Sequence, residues 1–443
     1  MTVVDAFAVS FQPALHPIAG RITVPGSKSI TNRALICAAM ADGTSVLQGV
    51  LDSEDTRVMV DAWMTLGLTI AWDKSAKTIR MTGCKGQPAN TKGDLHIANS
   101  GTSIRFLTAA LATTHGEYIL DGVPRMRERP IGDLIDGLRG LGANVVSLNA
   151  THPNCPPVRV SANGLRGGIG SVAGDVSSQF LSGMMMASPY ASSPVGIRVI
   201  GDLVSKPYVD MTAAVMKSFG VKVQMKQGRH GVEYSVDAPQ SYVGCEYTIE
   251  PDASAASYFL GAAAITGGSM RVDGLGFDAL QGDVQFAKVL AKMGCHVVSG
   301  NDFIEVSGTA AHGIDIDMNA ISDTVQTLAA VALFAKGPTR VRGVAHNRHK
   351  ETDRIRDLAC ELRRLGAAVD EHDDGLTIHP KPLTGVDLKT YQDHRMAMSL
   401  SLVGLRVPGV RILNPKCTEK TYPNFFEDMG MVLGQRPCFE GSE

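Results

Sequence analysis

Six segments of the sequence repeat one plan, and this repeat limits most strongly what the chain can fold into. Each segment passes from a short β-rich stretch through a polar loop and an amphipathic helix to an apolar residue and a glycine. Because glycine after the last apolar turn commonly ends a helix, each closing glycine predicts a helix terminus. The closing glycines lie 64 to 78 residues apart, at Gly67, Gly142, Gly220, Gly294, Gly366 and Gly430.

A second, almost wholly apolar helix is predicted ahead of each segment. These stretches begin at a capping residue, as in SKSITNRALICAAM and SGTSIRFLTAAL. A helix that is apolar on all sides is typically buried. The units are longer than ordinary solenoid repeats, so two compact groups of three units are favoured over one solenoid. Polar residues collect where the buried helices begin, and converging helix N-termini form a site for anions.

Composition excludes several classes of function. The chain has 443 residues, with 42 Lys and Arg against 44 Asp and Glu, so its net charge of −2 gives no general affinity for nucleic acid or an anionic membrane. Its eight cysteines are scattered and form no C-x-x-C pair, which argues against a zinc site or a disulfide framework. The N-terminal stretch lacks a basic region, and no apolar run reaches 18 residues. We expect a cytoplasmic protein without metal or cofactor.

The stretch PGSKSITNR, residues 25–33, places two cations and three hydroxyls at the start of the first buried helix. A phosphate-binding P-loop requires glycine before the lysine, whereas Ser27 precedes Lys28 here. A capped helix with solvated charges is the structural alternative. We favour a functional role for Lys28, Ser29 and Arg33, because cations at the start of a buried helix need an anionic partner.

Three further stretches of the first half carry candidate binding groups. In NSGTSIRF, Gly101 permits close approach of a ligand, although a close-packed turn explains it equally well. PRMRERP carries three arginines suited to carboxylate or phosphate, at least one of which we expect only in surface salt bridges. DVSSQF and SKPY offer groups suited to the hydroxyls of a sugar or cyclitol, or to ordinary caps and turns. These neutral groups are Ser177, Ser178, Gln179, Ser205 and Tyr208.

Candidate acids lie in the second half. Asp323 is expected to cap a buried helix unless it takes part in chemistry. Glu351, beside Lys350, is a candidate general acid or base. His394 lies at a helix start, where a histidine is more often structural, but its neighbour Arg395 and its register with the other five sites favour a functional role. The cations expected at the site are Lys28, Arg33, Arg129, Lys350, Arg354, Arg395 and Lys420.

The motifs together resemble the 5-enolpyruvylshikimate-3-phosphate (EPSP) synthase family along nearly the whole chain. They are PGSKSITNRAL, NSGTSIRF, PRMRERPIGDL, SSQFLSG, KETDRIR, DHRMAMS and PKCTEKTYPNFF. The resemblance implies an α/β fold of two lobes, each with three βαβαββ units and buried helices (an inverse α/β barrel), and an active site in the cleft between them. The implied lobes are 26–245 on one side and 1–25 with 246–443 on the other.

The resemblance also implies an activity, which is transfer of the enolpyruvyl group of phosphoenolpyruvate to the 5-hydroxyl of shikimate-3-phosphate with release of phosphate, through a tetrahedral intermediate. The residues implied for shikimate-3-phosphate are Lys28, Ser29, Arg33, Ser177, Ser178, Gln179, Ser205, Tyr208, Asp323 and Lys350. Those implied for phosphoenolpyruvate are Lys28, Gly101, Arg129, Gln179, Arg354, Arg395 and Lys420. Those implied for catalysis are Asp323, Glu351, Lys28 and His394. Inhibition by glyphosate is expected because Gly101 is retained, and a monomer is expected as well.

Three positions depart from the family pattern. His346 stands where Asn is frequent, and Asn347 beside it could substitute for that Asn. Phe106 stands where many members have Pro, and Ser100 stands where Ala is common.

Three other functions are less well supported. The sister transferase acting on UDP-N-acetylglucosamine has a reactive cysteine in the loop that here reads PRMRERP, and Lys-Asn where this chain has Lys28 and Ser29. A non-catalytic anion-binding scaffold gives no reason for both Asp323 and Glu351. RNA 3′-phosphate cyclases use related units, but the chain lacks the basic surface that RNA requires.

Overall fold

Two helices and a four-stranded sheet recur in each of six repeats within residues 7–228 and 231–441, the part of the chain that the computed structural model describes. In each repeat the first helix is almost wholly buried, whereas the second also has exposed residues. The α-helices are α1 (Lys28–Met40), α2 (Glu54–Thr65), α3 (Gly101–Leu111), α4 (Gly132–Gly140), α5 (Ser178–Ala187), α6 (Lys206–Ser218), α7 (Ala253–Thr266), α8 (Phe286–Lys292), α9 (Val325–Ala332), α10 (Arg356–Arg364), α11 (His394–Ser401) and α12 (Phe425–Leu433).

The strands are short, and each sheet draws on most of one repeat. They are β1 (Ala8–Ser10), β2 (Ala19–Ile22), β3 (Thr44–Gln48), β4 (Ile70–Asp73), β5 (Thr78–Thr82), β6 (Lys92–His96), β7 (His115–Asp121), β8 (Val145–Ser147), β9 (Val158–Asn163), β10 (Gly168–Ala173), β11 (Val195–Ile200), β12 (Val223–Gly228), β13 (Gly231–Val236), β14 (Glu246–Thr248), β15 (Ser269–Asp273), β16 (His296–Ser299), β17 (Phe303–Ser307), β18 (Asp315–Asp317), β19 (Thr339–Arg342), β20 (Ala368–His372), β21 (Gly375–His379), β22 (Asp387–Leu388), β23 (Arg411–Leu413) and β24 (Cys438–Glu440).

All six sheets found in the described residues share one strand order. In the sheet β6-β7-β9-β8, the first two strands are parallel and the last two pair antiparallel. A parallel pair needs a helical crossover, which α3 supplies between β6 and β7. The other sheets are β14-β3-β5-β4, β10-β11-β13-β12, β2-β15-β17-β16, β18-β19-β21-β20 and β22-β23-β1-β24. This arrangement confirms the predicted α/β fold of βαβαββ units.

The repeats belong to two compact units. The continuous lobe is Gly26–Glu250, and the split lobe comprises Met1–Pro25 and Pro251–Glu443, as far as these are described. The second boundary therefore follows residue 250 rather than the predicted 245. The reason is that β14 pairs in parallel with β3, and the amide of Ile249 donates to the carbonyl of Gln48 at 2.8 Å. The strand β2 belongs to the N-terminal segment of the split lobe and pairs in parallel with β15 of its second segment.

The first helix of each repeat forms the core of its lobe. All residues of α3 are buried, as are those of α7 from Ala253 to Ile265. Side chains of five preceding residues accept a hydrogen bond from the first turn, as the sequence predicted. These residues are Ser27, Ser100, Ser177, Asp252 and Asp393. None of the helices in residues 7–228 and 231–441 is both long and apolar enough to cross a membrane.

Five of the six closing glycines follow their helices in the left-handed conformation, with φ between +90° and +109° at Gly67, Gly142, Gly220, Gly294 and Gly366. The sixth prediction was wrong. Helix α12 continues through Gly430 and ends at Gly434, which has φ of +64°. The apolar residues Met431 and Val432 extend the helical sequence past the predicted end.

A glycine fixes the path of the chain into the first helix of the continuous lobe. A Cβ atom on Gly26 would lie 1.9 Å from the carbonyl oxygen of Gly49. The turn before Lys28 therefore has no space for a side chain.

Replacing this glycine should destabilise the fold. We expect Gly26→Ala to lower the free energy of unfolding by about 3 kcal/mol or more, because backbone atoms must move to relieve the clash. Urea unfolding followed by circular dichroism measures the change. Gly20→Ala is the control, since a Cβ there meets Met270 Sδ at an ordinary 3.6 Å. Equal unfolding midpoints for the two variants would contradict this account.

Candidate active site

The predicted site residues of the continuous lobe lie in α1 and where α3, α5 and α6 begin, except for Arg129, which lies in the loop before α4. Lys28 is the first residue of α1, and its Nζ lies 3.3 Å from Oδ2 of the buried Asp55 on α2. This ion pair holds the ammonium group at the helix start. A lysine so placed combines its own charge with the positive end of the helix, which favours an anion.

Arg33 is more deeply buried than its prediction as a ligand suggested. Its Nε donates to Thr212 Oγ1 at 2.7 Å, and Nη1 donates to the carbonyl of Ser29 at 2.8 Å. Nη2 donates to the carbonyl of Tyr208 at 3.2 Å. Burial lowers the pKa of Arg33 to about 10. The guanidinium thus joins α1 to α6, and its contact with a substrate stays a prediction.

Gly101 lies against two guanidinium groups. A Cβ atom at this position would lie 2.5 Å from Nη2 of Arg129 and 2.9 Å from Nη1 of Arg105. Arg129 is buried, and its Nη1 donates to the carbonyl of Asn99 at 3.0 Å. The absence of a side chain on Gly101 is therefore what lets Arg129 occupy this place.

Arg105 is a residue that the sequence analysis did not assign to the site. Its Nη1 donates to Oε1 of Gln179 at 2.6 Å, and its Nη2 donates to the carbonyl of Pro130 at 2.8 Å. Arg105 thereby orients a predicted ligand of both substrates. An arginine within the apolar run SIRFLTAAL was the feature that could have identified it.

The other arginines of PRMRERP lie at the surface. Arg125 pairs with Glu128 at 2.7 Å, and Arg127 pairs with Asp121. Both pairs are substantially exposed, so each contributes little to stability. The expectation that at least one arginine of this loop forms surface salt bridges is confirmed, and Arg129 is the buried one.

The predicted neutral groups lie at two helix starts. Ser177 is the N-cap of α5 and accepts from the amide of Gln179 at 3.3 Å, while the next residue, Ser178, is buried. Ser205 precedes α6 in the left-handed conformation, with φ of +52°, and Tyr208 lies in the first turn of that helix. Capping thus accounts for Ser177, and the roles of the four residues toward a substrate stay predictions.

The split lobe contains a buried ionic network centred on Arg354. Its Nε and Nη2 donate to the two carboxylate oxygens of Asp393 at 2.7 and 3.2 Å. Its Nη1 donates to Asp323 at 3.2 Å and Nη2 donates to Glu351 at 2.9 Å. Burial by itself lowers the pKa of Arg354, but the three carboxylates raise it above its usual value. One guanidinium therefore fixes both predicted acid–base residues.

Asp323 does not cap a helix, and that prediction was wrong. Helix α9 begins after Thr324, whereas Asp323 belongs to the preceding 3-10 helix, Asn319–Thr324. Its Oδ2 accepts from Nη2 of Arg395 at 2.7 Å. The carboxylate is thus held by two arginines, which favours a role in the site over a role in capping.

Glu351 and the remaining predicted residues surround this network. Nζ of the buried Lys420 lies 3.8 Å from Oε1 of Glu351. His394 is buried, and its Nδ1 lies 3.8 Å from Oδ1 of Asp393. Lys350 directly precedes Glu351 and is half-buried. Asp393 opens the motif DHRMAMS, but no role was predicted for it; its position directly before His394 was the available indication.

His346 and Asn347 both contact Ser322, beside Asp323. Nε2 of His346 lies 3.0 Å from the Ser322 hydroxyl, and Nδ2 of Asn347 donates to the Ser322 carbonyl at 3.0 Å. Burial, followed by the charge of Lys350, lowers the pKa of His346 to about 3. The imidazole is therefore neutral at physiological pH.

A further buried carboxyl, Asp283, adjoins the network. It lies in the 3-10 helix Gly282–Gln285, and the Ser254 hydroxyl donates to its Oδ2. Burial and the nearby charge of Asp323 raise the pKa of Asp283 to about 7. No sequence motif identified this residue. In residues 7–228 and 231–441, no group of three or more His, Cys, Asp and Glu is placed to hold a metal ion.

The raised pKa of Asp283 should appear in the pH dependence of stability. The unfolded carboxyl ionises near pH 3.8, whereas the folded one keeps its proton to about pH 7. The free energy of unfolding should therefore fall as pH rises from 4 to 7, by at most about 4 kcal/mol for this group. Asp283→Asn remains neutral and should lose that component. Urea unfolding of both proteins at pH 4, 5.5 and 7 tests this, and parallel curves would contradict it.

Comparison with known proteins gives a consistent family. A model of the family described as EPSP synthase (3-phosphoshikimate 1-carboxyvinyltransferase) matches residues 14–429. The chain is 46% identical to the 3-phosphoshikimate 1-carboxyvinyltransferase of Marinomonas sp. (strain MWYL1), over 92% of this chain and 95% of that protein. It is 45% identical to the protein of the same name from Serratia proteamaculans (strain 568), over 94% and 98%.

Solved structures show the same likeness. The chain resembles EPSP synthase from Acinetobacter baumannii with a TM-score of 0.79 at 25% identity, covering 98% of this chain and 100% of that one. A second structure described by the same name and organism has a TM-score of 0.78. The predicted resemblance is therefore confirmed.

Proposed function

We propose that the side chains at the helix starts of the continuous lobe and the ionic network around Arg354 perform the reaction of the EPSP synthase family, to which the chain belongs. This reaction transfers the enolpyruvyl group of phosphoenolpyruvate to shikimate-3-phosphate with release of phosphate. The observation that carries the proposal is the buried Arg354, which holds two carboxylates suited to proton transfer, Asp323 and Glu351. The reaction belongs to the biosynthesis of aromatic amino acids.

In this proposal, most contacts to shikimate-3-phosphate come from the continuous lobe. Lys28 and Arg33 supply positive charge for the phosphate. The neutral groups bind hydroxyls of the ring, for which hydrogen-bond donors and acceptors without charge are suited. These groups are Ser29, Ser177, Ser178, Gln179, Ser205 and Tyr208. The split lobe adds Asp323 and Lys350.

Phosphoenolpyruvate carries a phosphate and a carboxylate, and arginine binds both through paired hydrogen bonds. The cations proposed for it are Lys28, Arg129, Arg354, Arg395 and Lys420, with Gly101 and Gln179 beside them. Four of these cations are buried or nearly so, so water screens their charge weakly. Neutralising the two anionic substrates lets their reacting atoms approach.

Asp323 and Glu351 are proposed to move the protons. One carboxylate accepts the proton of the 5-hydroxyl of shikimate-3-phosphate as the hydroxyl oxygen bonds to C2 of phosphoenolpyruvate, and the other, in its protonated form, donates a proton to C3. The resulting tetrahedral intermediate then returns a proton from C3 to that second carboxylate. Its bond between C2 and the phosphate oxygen breaks, the double bond forms again, and phosphate leaves with the proton that the first carboxylate had taken from the hydroxyl. His394 and Lys28 stay predicted contributors to catalysis.

Removing either carboxylate tests this assignment. We expect Asp323→Asn and Glu351→Gln each to lower kcat at least about 100-fold, the usual contribution of a positioned acid or base. Phosphate release from shikimate-3-phosphate and phosphoenolpyruvate, without added metal, measures the rate.

Asp357→Asn provides the matched control. Asp357 is also a buried carboxylate of the split lobe, but it pairs with Arg356 and accepts from Thr352. Its replacement should leave kcat within about threefold, since it lies outside the Arg354 network. Full activity of both site variants would refute the acid–base assignment. Phosphate release with UDP-N-acetylglucosamine alone as acceptor would instead favour the sister reaction, and binding without turnover would favour a scaffold.

The contact of Gly101 with Arg129 leads to a prediction about inhibition. We propose that glyphosate inhibits the wild-type enzyme by occupying the place of phosphoenolpyruvate. Gly101→Ala should displace the Arg129 guanidinium, raising the KM for phosphoenolpyruvate and weakening glyphosate inhibition, each by about tenfold. Its urea midpoint should change little, because the end of an arginine side chain can move. Normal wild-type turnover at about 1 mM glyphosate would contradict the proposal. The cytoplasmic location, the monomeric state and the lack of a cofactor stay predictions.

A further inference from the structure

Residues 390–393 of the split lobe form a tight turn with an uncommon backbone. The amide of Asp393 donates to the carbonyl of Thr390 at 2.9 Å, and the two central residues, Tyr391 and Gln392, have φ of +53° and +59°. Positive φ at both central positions is typical of a type I′ turn, which favours Asn-Gly. Tyrosine and glutamine disfavour this conformation, so contacts outside the turn must hold it.

Glu361 of α10 supplies such contacts. It is fully buried, and its Oε1 accepts from the Tyr391 hydroxyl at 2.7 Å. Its Oε2 accepts from the amide of Lys389 at 3.0 Å and from Nη1 of Arg364 at 2.6 Å. A carboxylate forms stronger hydrogen bonds than a neutral acceptor does, and here it fixes both the entry and the first central residue of the turn. We call Glu361 and Tyr391 the carboxylate latch.

The turn leads directly into the ionic network. Asp393 closes the turn, and its Oδ1 accepts from the amide of Arg395 at 2.8 Å as the N-cap of α11. The same carboxylate receives two hydrogen bonds from Arg354. A change in the turn therefore moves the group that orients Arg354 and the helix start that carries His394 and Arg395.

We propose that the carboxylate latch is a positioning device for phosphoenolpyruvate binding, which acts by holding the left-handed turn that places Asp393 and Arg395. The inference rests on the proposed role of Arg354 and Arg395 toward phosphoenolpyruvate. Neither Glu361 nor Tyr391 needs to contact a substrate, so both are positioning residues.

Removing the Tyr391 hydroxyl tests the latch. We expect Tyr391→Phe to lower kcat/KM for phosphoenolpyruvate by about tenfold, within the range that loss of a hydrogen bond to a charged group causes. The KM for shikimate-3-phosphate should stay within about twofold, because its proposed contacts lie mainly in the continuous lobe. If the hydroxyl contributed only to stability, its loss would not change the kinetic constants for one substrate and spare those for the other.

Tyr242→Phe is the matched control. Tyr242 is fully buried in the continuous lobe, and its hydroxyl donates to the carbonyl of Met186 at 2.9 Å. Both variants lose one buried or half-buried hydroxyl and its hydrogen bonds, yet only Tyr391→Phe affects the turn. The control should show wild-type constants for both substrates.

A double variant separates the turn from the latch itself. Tyr391→Asn with Gln392→Gly provides the residues that a type I′ turn favours and needs no latch. We expect its kcat/KM for phosphoenolpyruvate to return to within about threefold of the wild-type value. A hydroxyl that acted directly on substrate could not be replaced in this way.

Two results would overturn the latch alone. One is a Tyr391→Phe enzyme whose constants match those of Tyr242→Phe, and the other is a double variant as impaired as Tyr391→Phe. Absence of phosphate release by the wild-type enzyme would overturn the proposed function and the latch with it. Phosphate release by the wild-type enzyme thus tests the proposed function, whereas the kcat/KM values of the variants, compared with one another, test the latch.

Discussion

Burial of a largely apolar helix with a polar first turn is the constraint on which the structure depends. Such a helix must be covered on every side, yet its first amides and any polar side chains there still need partners. Five helices in the described residues solve this with a side-chain cap. The polar ends therefore become places where side chains of several elements are fixed, and an active site can be built there without disturbing the core.

The two lobes satisfy a buried arginine in opposite ways. Around Arg33 the acceptors include carbonyls and hydroxyls, and burial lowers its pKa. Around Arg354 the acceptors are three carboxylates, which raise its pKa despite burial. The neutral acceptors around Arg33 leave its charge unbalanced, whereas the carboxylates around Arg354 balance the charge of that guanidinium. One repeat thus yields two different electrostatic environments.

The sequence predicted what depends on local pattern. Apolar periodicity located the buried helices, and glycine after an apolar turn located five helix ends. It failed where the outcome depends on a partner distant along the chain. Capping was the structural alternative for Asp323, because a short acidic residue before a helix usually caps it, but its carboxylate instead accepts from Arg354 and Arg395. Arg105 was missed for the same reason, since its partner Gln179 lies in another repeat.

The departures from the family pattern have local explanations. Phe106 is buried, and the guanidinium of Arg33 lies 5.1 Å from the centre of its ring. The aromatic face thus helps to compensate a buried charge. Ser100 accepts from the amide of Ser103 as the N-cap of α3, which alanine could not do.

His346 shows why a histidine can replace an amide beside the ionic network without upsetting it. A protonated imidazole would add a charge next to Lys350, close to the carboxylate of Asp323. Burial and Lys350 instead hold the ring neutral, with a pKa near 3, so that it offers one donor and one acceptor. One of these meets the Ser322 hydroxyl. The ring therefore serves as an uncharged hydrogen-bonding group, as an amide does, and the charge balance of Arg354 with its three carboxylates is unchanged.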